Sequence, residues 1–282
     1  MISNIHTTDL FTEAFRLGNF FEKGEKMFAN YHTHTARCHH AVGTERQYIE
    51  AAIQAGYKVL GFADHGTYII DNFKYRIRMR PDEVAGYVDT LKALREEYKN
   101  DIRIHIGFEL EYYPSHFDKT LEFLKQFDYE YLILGQHYAD DGLERTHVMK
   151  PGFGDEMLVK YVDAVVAGIK TGKFSYVAHP DVVYFDGDND FYKAHMSRLC
   201  RAAKEEGIPL ELNCLGVREG RCYPTEKFWR IARDVGNSVI IGVDAHEPQI
   251  LLNRDIVRKC EEISRKFDLF PLRELKFKNP KA

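Results

Sequence analysis

The 282-residue chain has no apolar run approaching the roughly 20 residues that cross a bilayer. Its start, MISNIHTTDLFTEAFRLGNF, lacks the basic flank, apolar core and small-residue cleavage site of a secretory signal. Neither a membrane protein nor a secreted one is expected. Five cysteines, Cys38, Cys200, Cys214, Cys222 and Cys260, are odd in number and scattered, without a C-x-x-C pair. They suggest neither a disulfide framework nor a thiolate zinc knot, and a reducing cytoplasm fits them best. A formal net charge of −4 supplies no global basic field of the kind that drives nonspecific nucleic-acid binding, so a nucleic-acid partner is not expected and an anionic substrate needs a local attractor. There is no G-x-S-x-G elbow and no Walker-type phosphate loop. Low-complexity linkers, repeats and compositional breaks are also missing, which favours one domain over two.

What is present is alternation. From residue 28 onward, short β-rich runs at 28–33, 58–63, 102–108, 129–135, 174–178, 208–212 and 238–243 predict seven strands. Segments of helical period at 44–56, 81–99, 115–127, 154–171, 190–206, 225–236 and 247–266 place a helix after each. Residues 1–27 form an N-terminal extension whose Phe11, Phe15, Phe20 and Phe21 are expected to cover barrel surface, and residues 28–282 form the catalytic domain. The stretch 139–154 is long enough for a loop contributing to a substrate lid.

Histidines and acids fall where these strands end. His32, His34 and His40 follow the first, Asp64 and His65 the second, Glu109 the third, His137 the fourth, His179 the fifth, and Asp244 and His246 the seventh. In a β/α barrel those ends converge on one face, so residues distant in sequence meet. Each piece has a plain structural explanation: an H-x-H pair in the core, a turn at Asp64, a helix cap at Asp244. Their joint occurrence at successive strand ends is better explained by a metal site, and imidazole and carboxylate donors without thiolates suit zinc, iron or manganese. His6, His39, His105, His116, His147 and His195 lie off the pattern and read as structural or exposed, although His39 adjoins His40 and rivals it.

The successive segments YHTHTARCHHA, GFADHG, GFELEYYP, LGQHY, VAHPD, LELNCLGVREGRCYP and IGVDAHEP resemble the polymerase and histidinol phosphatase (PHP) superfamily over almost all of residues 28–265. The longer ones are similar to histidinol-phosphate phosphatases of the monofunctional type. The resemblance implies a distorted (β/α)7 TIM-like barrel, α/β in class, with a trinuclear metal centre at the C-terminal face of the strands. It implies that His32, His34, Glu109 and Asp244 hold one ion, that Glu109 bridges to a second held with His137 and His179, and that His40, His65 and His246 hold a third. Glu111, two residues beyond Glu109, competes for the bridging role. Asn213 and Arg218 match the family's N-x-x-G-x-R loop and would bind substrate, Arg218 through its phosphate; Cys214 and Leu215 replace the small hydroxyl residues common there.

The activity so implied is hydrolysis of the small phosphate monoester L-histidinol phosphate to L-histidinol and inorganic phosphate, a late step in histidine biosynthesis. The nucleophile would be a metal-bridging hydroxide, with Asp64 orienting a ligand or carrying a proton. Two alternatives stand beside it: another phosphoesterase of the superfamily acting on nucleotides or oligonucleotides, and a noncatalytic metal-binding regulatory domain.

Overall fold

A computed structural model describes residues 27–71, 73–139, 146–152 and 154–282. Residues 1–26 of the extension, with Phe11, Phe15, Phe20 and Phe21, and residues 140–145 and 153 of the expected lid loop lie outside the described residues. Seven parallel strands follow one another in chain order: β1 (Ala29–Asn30), β2 (Val59–His65), β3 (Arg103–Leu110), β4 (Tyr131–Leu134), β5 (Tyr176–Val177), β6 (Leu210–Asn213) and β7 (Val239–Gly242). The sheet closes on itself just past the ends of β1 and β7. Thr33 bridges Ala245 in parallel, the His34 amide donates to the Ala245 carbonyl (3.0 Å), and lower down the Asn30 side chain accepts from the Val243 amide (2.9 Å), standing in for a backbone partner. The expected seven-stranded barrel is the observed one.

The helices are α1 (Glu45–Ala55), α2 (Val84–Glu97), α3 (Phe117–Leu124), α4 (Gly154–Lys170), α5 (Asn189–Glu205), α6 (Cys214–Glu219), α7 (Glu226–Val235) and α8 (Arg254–Lys266). Local chemistry sets their ends. Thr44 and Gln47 form a capping box at the start of α1, and Gly56, at φ 92°, closes it in a left-handed turn that a side chain would strain. Two elements differ from expectation. The helix expected over 247–266 is a 3-10 turn at Pro248–Leu252 followed by α8, because the Asn253 side chain caps α8 by accepting from the Ile256 amide. The loop expected after β6 contains α6, a helix of six residues capped by Asn213.

Period-2 alternation divides the strand residues between two cores. Outward side chains such as Leu60, Phe62, Ile104, Ile106 and Phe108 pack under the helices. Inward ones, including Ala29, Tyr31, Val59, Ala63, Tyr131, Ile133, Tyr176 and Ile240, fill the barrel, with Leu275 and Phe277 of the C-terminal tail packed against them. Phe277 stacks on Tyr131 at 4.7 Å between ring centroids and 9° between planes. The Tyr131 ring needs its space: a Cβ on Gly107 would lie 2.6 Å from its Cε1, and one on Gly61 would strike its hydroxyl, which donates to the Tyr31 carbonyl. Gly107→Ala is therefore expected to cost about 1–3 kcal/mol as overpacking, read as a lower urea midpoint at unchanged slope; an unshifted midpoint would show that the ring has room to move.

Candidate metal centre

Continuing inward along each strand past the aromatic layer brings the polar residues onto the barrel axis. Glu109 sits there, 1% exposed. Its carboxylate takes space that a side chain at position 135 would fill, so Gly135 is required at the end of β4. Gly242 on β7 vacates the same kind of space for Glu211 of β6.

The two oxygens of Glu109 face different groups. Oε1 lies 3.0 Å from His179 Nε2 and 3.7 Å from His137 Nε2; Oε2 lies 2.9 Å from His65 Nδ1 and 3.6 Å from both His32 Nε2 and His34 Nε2. Asp244 Oδ1 completes the second group, 3.5 Å from His32 Nε2 and 3.1 Å from His34 Nε2. A third group opens toward solvent, where His40 Nε2 and His246 Nε2 are 3.0 Å apart and the His40 and His65 rings are 5.2 Å apart between centroids. His179 (φ 30°) and Asp244 (φ 54°) each adopt a left-handed backbone uncommon for non-glycine residues, a strain held in place where the strands deliver their side chains.

A ring of acids orients the imidazoles. Glu211 Oε1 is 2.8 Å from His32 Nδ1, and its Oε2 accepts from the His179 amide and from Asn213 Nδ2. Asp64 Oδ1 is 3.3 Å from His34 Nδ1, while its Oδ2 accepts from the Thr35 hydroxyl. Glu111 is spent elsewhere than the axis: Oε2 takes Arg78 (2.8 Å) and the Tyr68 hydroxyl, and Oε1 accepts from the His137 amide and lies 3.2 Å from its Nδ1. His39, a left-handed residue, turns away to Glu83 at 3.4 Å.

This donor set fits divalent cations. His32 Nε2, Glu109 Oε2 and Asp244 Oδ1 are buried, converge, and have no hydrogen-bond partner, a costly arrangement unless a cation lies among them. Several three-donor groups have their ligand atoms within 4.8 Å of one another, among them His32, His34 and Asp244; His32, Glu109 and His179; and His34, His65 and His246. Burial drives the His65 and His246 imidazoles well below their ordinary range, which leaves them in the neutral, metal-binding form. Burial opposes a charge on His32 too, but Asp244, Glu211 and Glu109 outweigh it and hold the group up at about 10, so metal uptake there displaces a proton. Glu109 is held well below the carboxylate range against its burial, by His65, His137 and His32.

The centre floors a cavity of about 440 Å³ whose wall includes Leu215, Arg218, Arg221, Tyr223, Met149 and His147. Arg218 is on that wall, on α6. Asn213 is not: its amide nitrogen donates to Glu211 and to Asp244 Oδ2 (3.0 Å), and its oxygen accepts from the Gly216 amide. Both ends of the Asn213 side chain, expected to meet substrate, are here engaged inside the protein. Glu211, Arg78 and His147 were missed by sequence reasoning. An acid at inward parity in the apolar strand LELN was the available signal for Glu211; nothing local distinguishes His147.

Among the described residues, no helix is long and apolar enough to cross a membrane. The family model described as the PHP domain matches residues 30–214. A protein from Deinococcus radiodurans described as a probable histidinol-phosphatase is 27% identical over 77% of this chain and 85% of its own length. A probable phosphatase of Shewanella piezotolerans is 24% identical over 91% of this chain and 92% of its own. Among solved structures, histidinol phosphate phosphatase from Lactococcus lactis, crystallised with zinc, L-histidinol and phosphate, superimposes with a TM-score of 0.66 at 16% identity, over 89% of this chain and 99% of that one.

Glu211→Gln is expected to retain the fold while binding metal about 10–100-fold more weakly, the usual effect of losing the carboxylate behind a ligating histidine; metal titration followed by circular dichroism checks both. His40→Ala should release one equivalent of metal and His39→Ala none, and metal analysis showing the reverse would exchange their places. With the strand-end donors gathered on one axis and the family model covering well over half of the sequence, the chain belongs to the PHP domain family.

Proposed function

We propose that the protein is a divalent-metal-dependent phosphomonoesterase that hydrolyses L-histidinol phosphate. The carrying observation is Glu109, whose two buried oxygens face separate imidazole groups at the floor of an open cavity with guanidiniums on its wall. His32, His34, Asp244 and Glu109 would hold one ion, Glu109, His137 and His179 a second, and His40, His65 and His246 a third, each zinc, iron or manganese. Such ions supply Lewis-acid charge and water activation to phosphate ester hydrolysis.

The chain's own groups do the rest. Asp64 and Glu211 fix the ring orientations of His34 and His32, so the donors are set before substrate arrives. Arg218 presents a planar, permanently charged fork suited to two phosphate oxygens. Its present partners are Glu219 (2.7 Å) and Glu247 (3.1 Å). The names of the Deinococcus relative and the Lactococcus structure support histidinol phosphate over other monoesters.

The test is turnover of histidinol phosphate by the metal-loaded protein, lost on chelation and restored by zinc, iron or manganese. Arg218→Ala should keep its metals and lose about 2–5 kcal/mol of transition-state stabilisation, measured in kcat/KM, together with inhibition by inorganic phosphate. A parent that ignored histidinol phosphate and cleaved oligonucleotides would replace this reading with the nuclease one. A metal-replete protein that cleaved neither would favour a regulatory role.

A further inference from the structure

The cavity wall beside Asp244 and His246 carries two guanidiniums and two carboxylates. Arg221 reaches Glu219 Oε2 through Nε (2.7 Å) and Nη2 (2.6 Å), while Arg218 takes Glu219 Oε1 with Nη2 and Glu247 Oε1 with Nη1. Glu219 thus has both oxygens bound by arginines. Glu247 has one oxygen on one arginine, and its side chain keeps 47% of its surface exposed against 37% for Glu219. Among the described residues no other cation pairs with it. It directly follows His246 and lines the same cavity, so the backbone holds it beside the floor, within the space a bound ester would share.

Charge balance decides what suits that position. A phosphate dianion in the cavity would draw Arg218 toward its own oxygens and leave Glu247 facing the cavity without its arginine partner. An amine on the leaving alcohol restores the balance. A neutral alcohol does not, and a second anionic group meets a like charge, which costs binding and suppresses wrong partners.

We propose that Glu247 is a specificity residue that reads a protonated amine on the leaving alcohol, so that the site selects zwitterionic aminoalkyl phosphate monoesters over esters of neutral alcohols and over polyanionic phosphates. This rests on the phosphomonoesterase reading of the metal centre and assigns it a substrate class. Glu219, already saturated by two arginines, holds the wall in shape and does not read the amine.

The experiment compares 2-aminoethyl phosphate with ethyl phosphate, a pair that differs by the amine, on the metal-loaded full chain, with histidinol phosphate measured alongside. The wild-type ratio of kcat/KM values, aminoethyl over ethyl, is expected to be well above one. In Glu247→Gln, which keeps an acceptor for Arg218, the ratio should fall about tenfold or more, the worth of one charge-assisted hydrogen bond, chiefly through KM. In Glu219→Gln the ratio should hold while both values fall together. A wild-type ratio at or below one, or a ratio that Glu247→Gln leaves in place, overturns the proposal. If histidinol phosphate is not cleaved yet the aminoethyl preference is present and depends on Glu247, the histidinol reading fails and this one stands. If histidinol phosphate is cleaved and the ratio is indifferent to Glu247, the reverse holds, and a protein that cleaves no monoester overturns both.

Discussion

A carboxylate buried on the axis of a barrel must be compensated, and Glu109 is compensated from every side. Five imidazoles lie within 4 Å of its two oxygens, brought there by β1, β2, β4 and β5 or by the turns that follow them. In a low-dielectric interior an uncompensated anion is expensive enough to unfold a domain of ordinary stability. The strands therefore have to register so that their ends arrive together, and the surrounding acids have to hold each ring in the tautomer that faces inward.

That demand explains features lower in the barrel. Glu109 and Glu211 are long side chains in a narrow space, admitted because Gly135 and Gly242 on the neighbouring strands have none. Beneath them Tyr131 occupies the room left by Gly61 and Gly107. Small residues facing large ones, layer by layer, let the interior stay filled while its chemistry changes from apolar at the bottom to ionic at the top.

The seven strands and the helices after them were legible because a half-buried strand and an amphipathic helix write different periods into the sequence. The nine proposed ligands were legible because they sit at strand ends, where a polar residue after an apolar run stands out. Glu211 was not, since it lies inside its strand and its function depends on a ring from β1, 179 residues away. The helix α6 escaped because six residues are too few to show a period, and Asn213 could be given its capping role only once the Gly216 amide was seen above it. His39 and His40 are indistinguishable by type; a left-handed backbone at position 39 is what turns one toward Glu83 and the other toward His246. Long-range pairing and backbone handedness are the parts that composition and periodicity do not encode.

The C-terminal tail adds a kinetic consequence. Pro271 pairs with the lower end of β7, the Leu275 amide donates to the Tyr31 hydroxyl, and Phe277 lies across Tyr131, so the base of the barrel is stoppered by the segment 271–277. The well is blind among the described residues: whatever enters by the upper mouth leaves by it. Ions, ester and products of the proposed reaction would therefore share one mouth, and an ester bound over the inner donors would slow the escape of any ion beneath it.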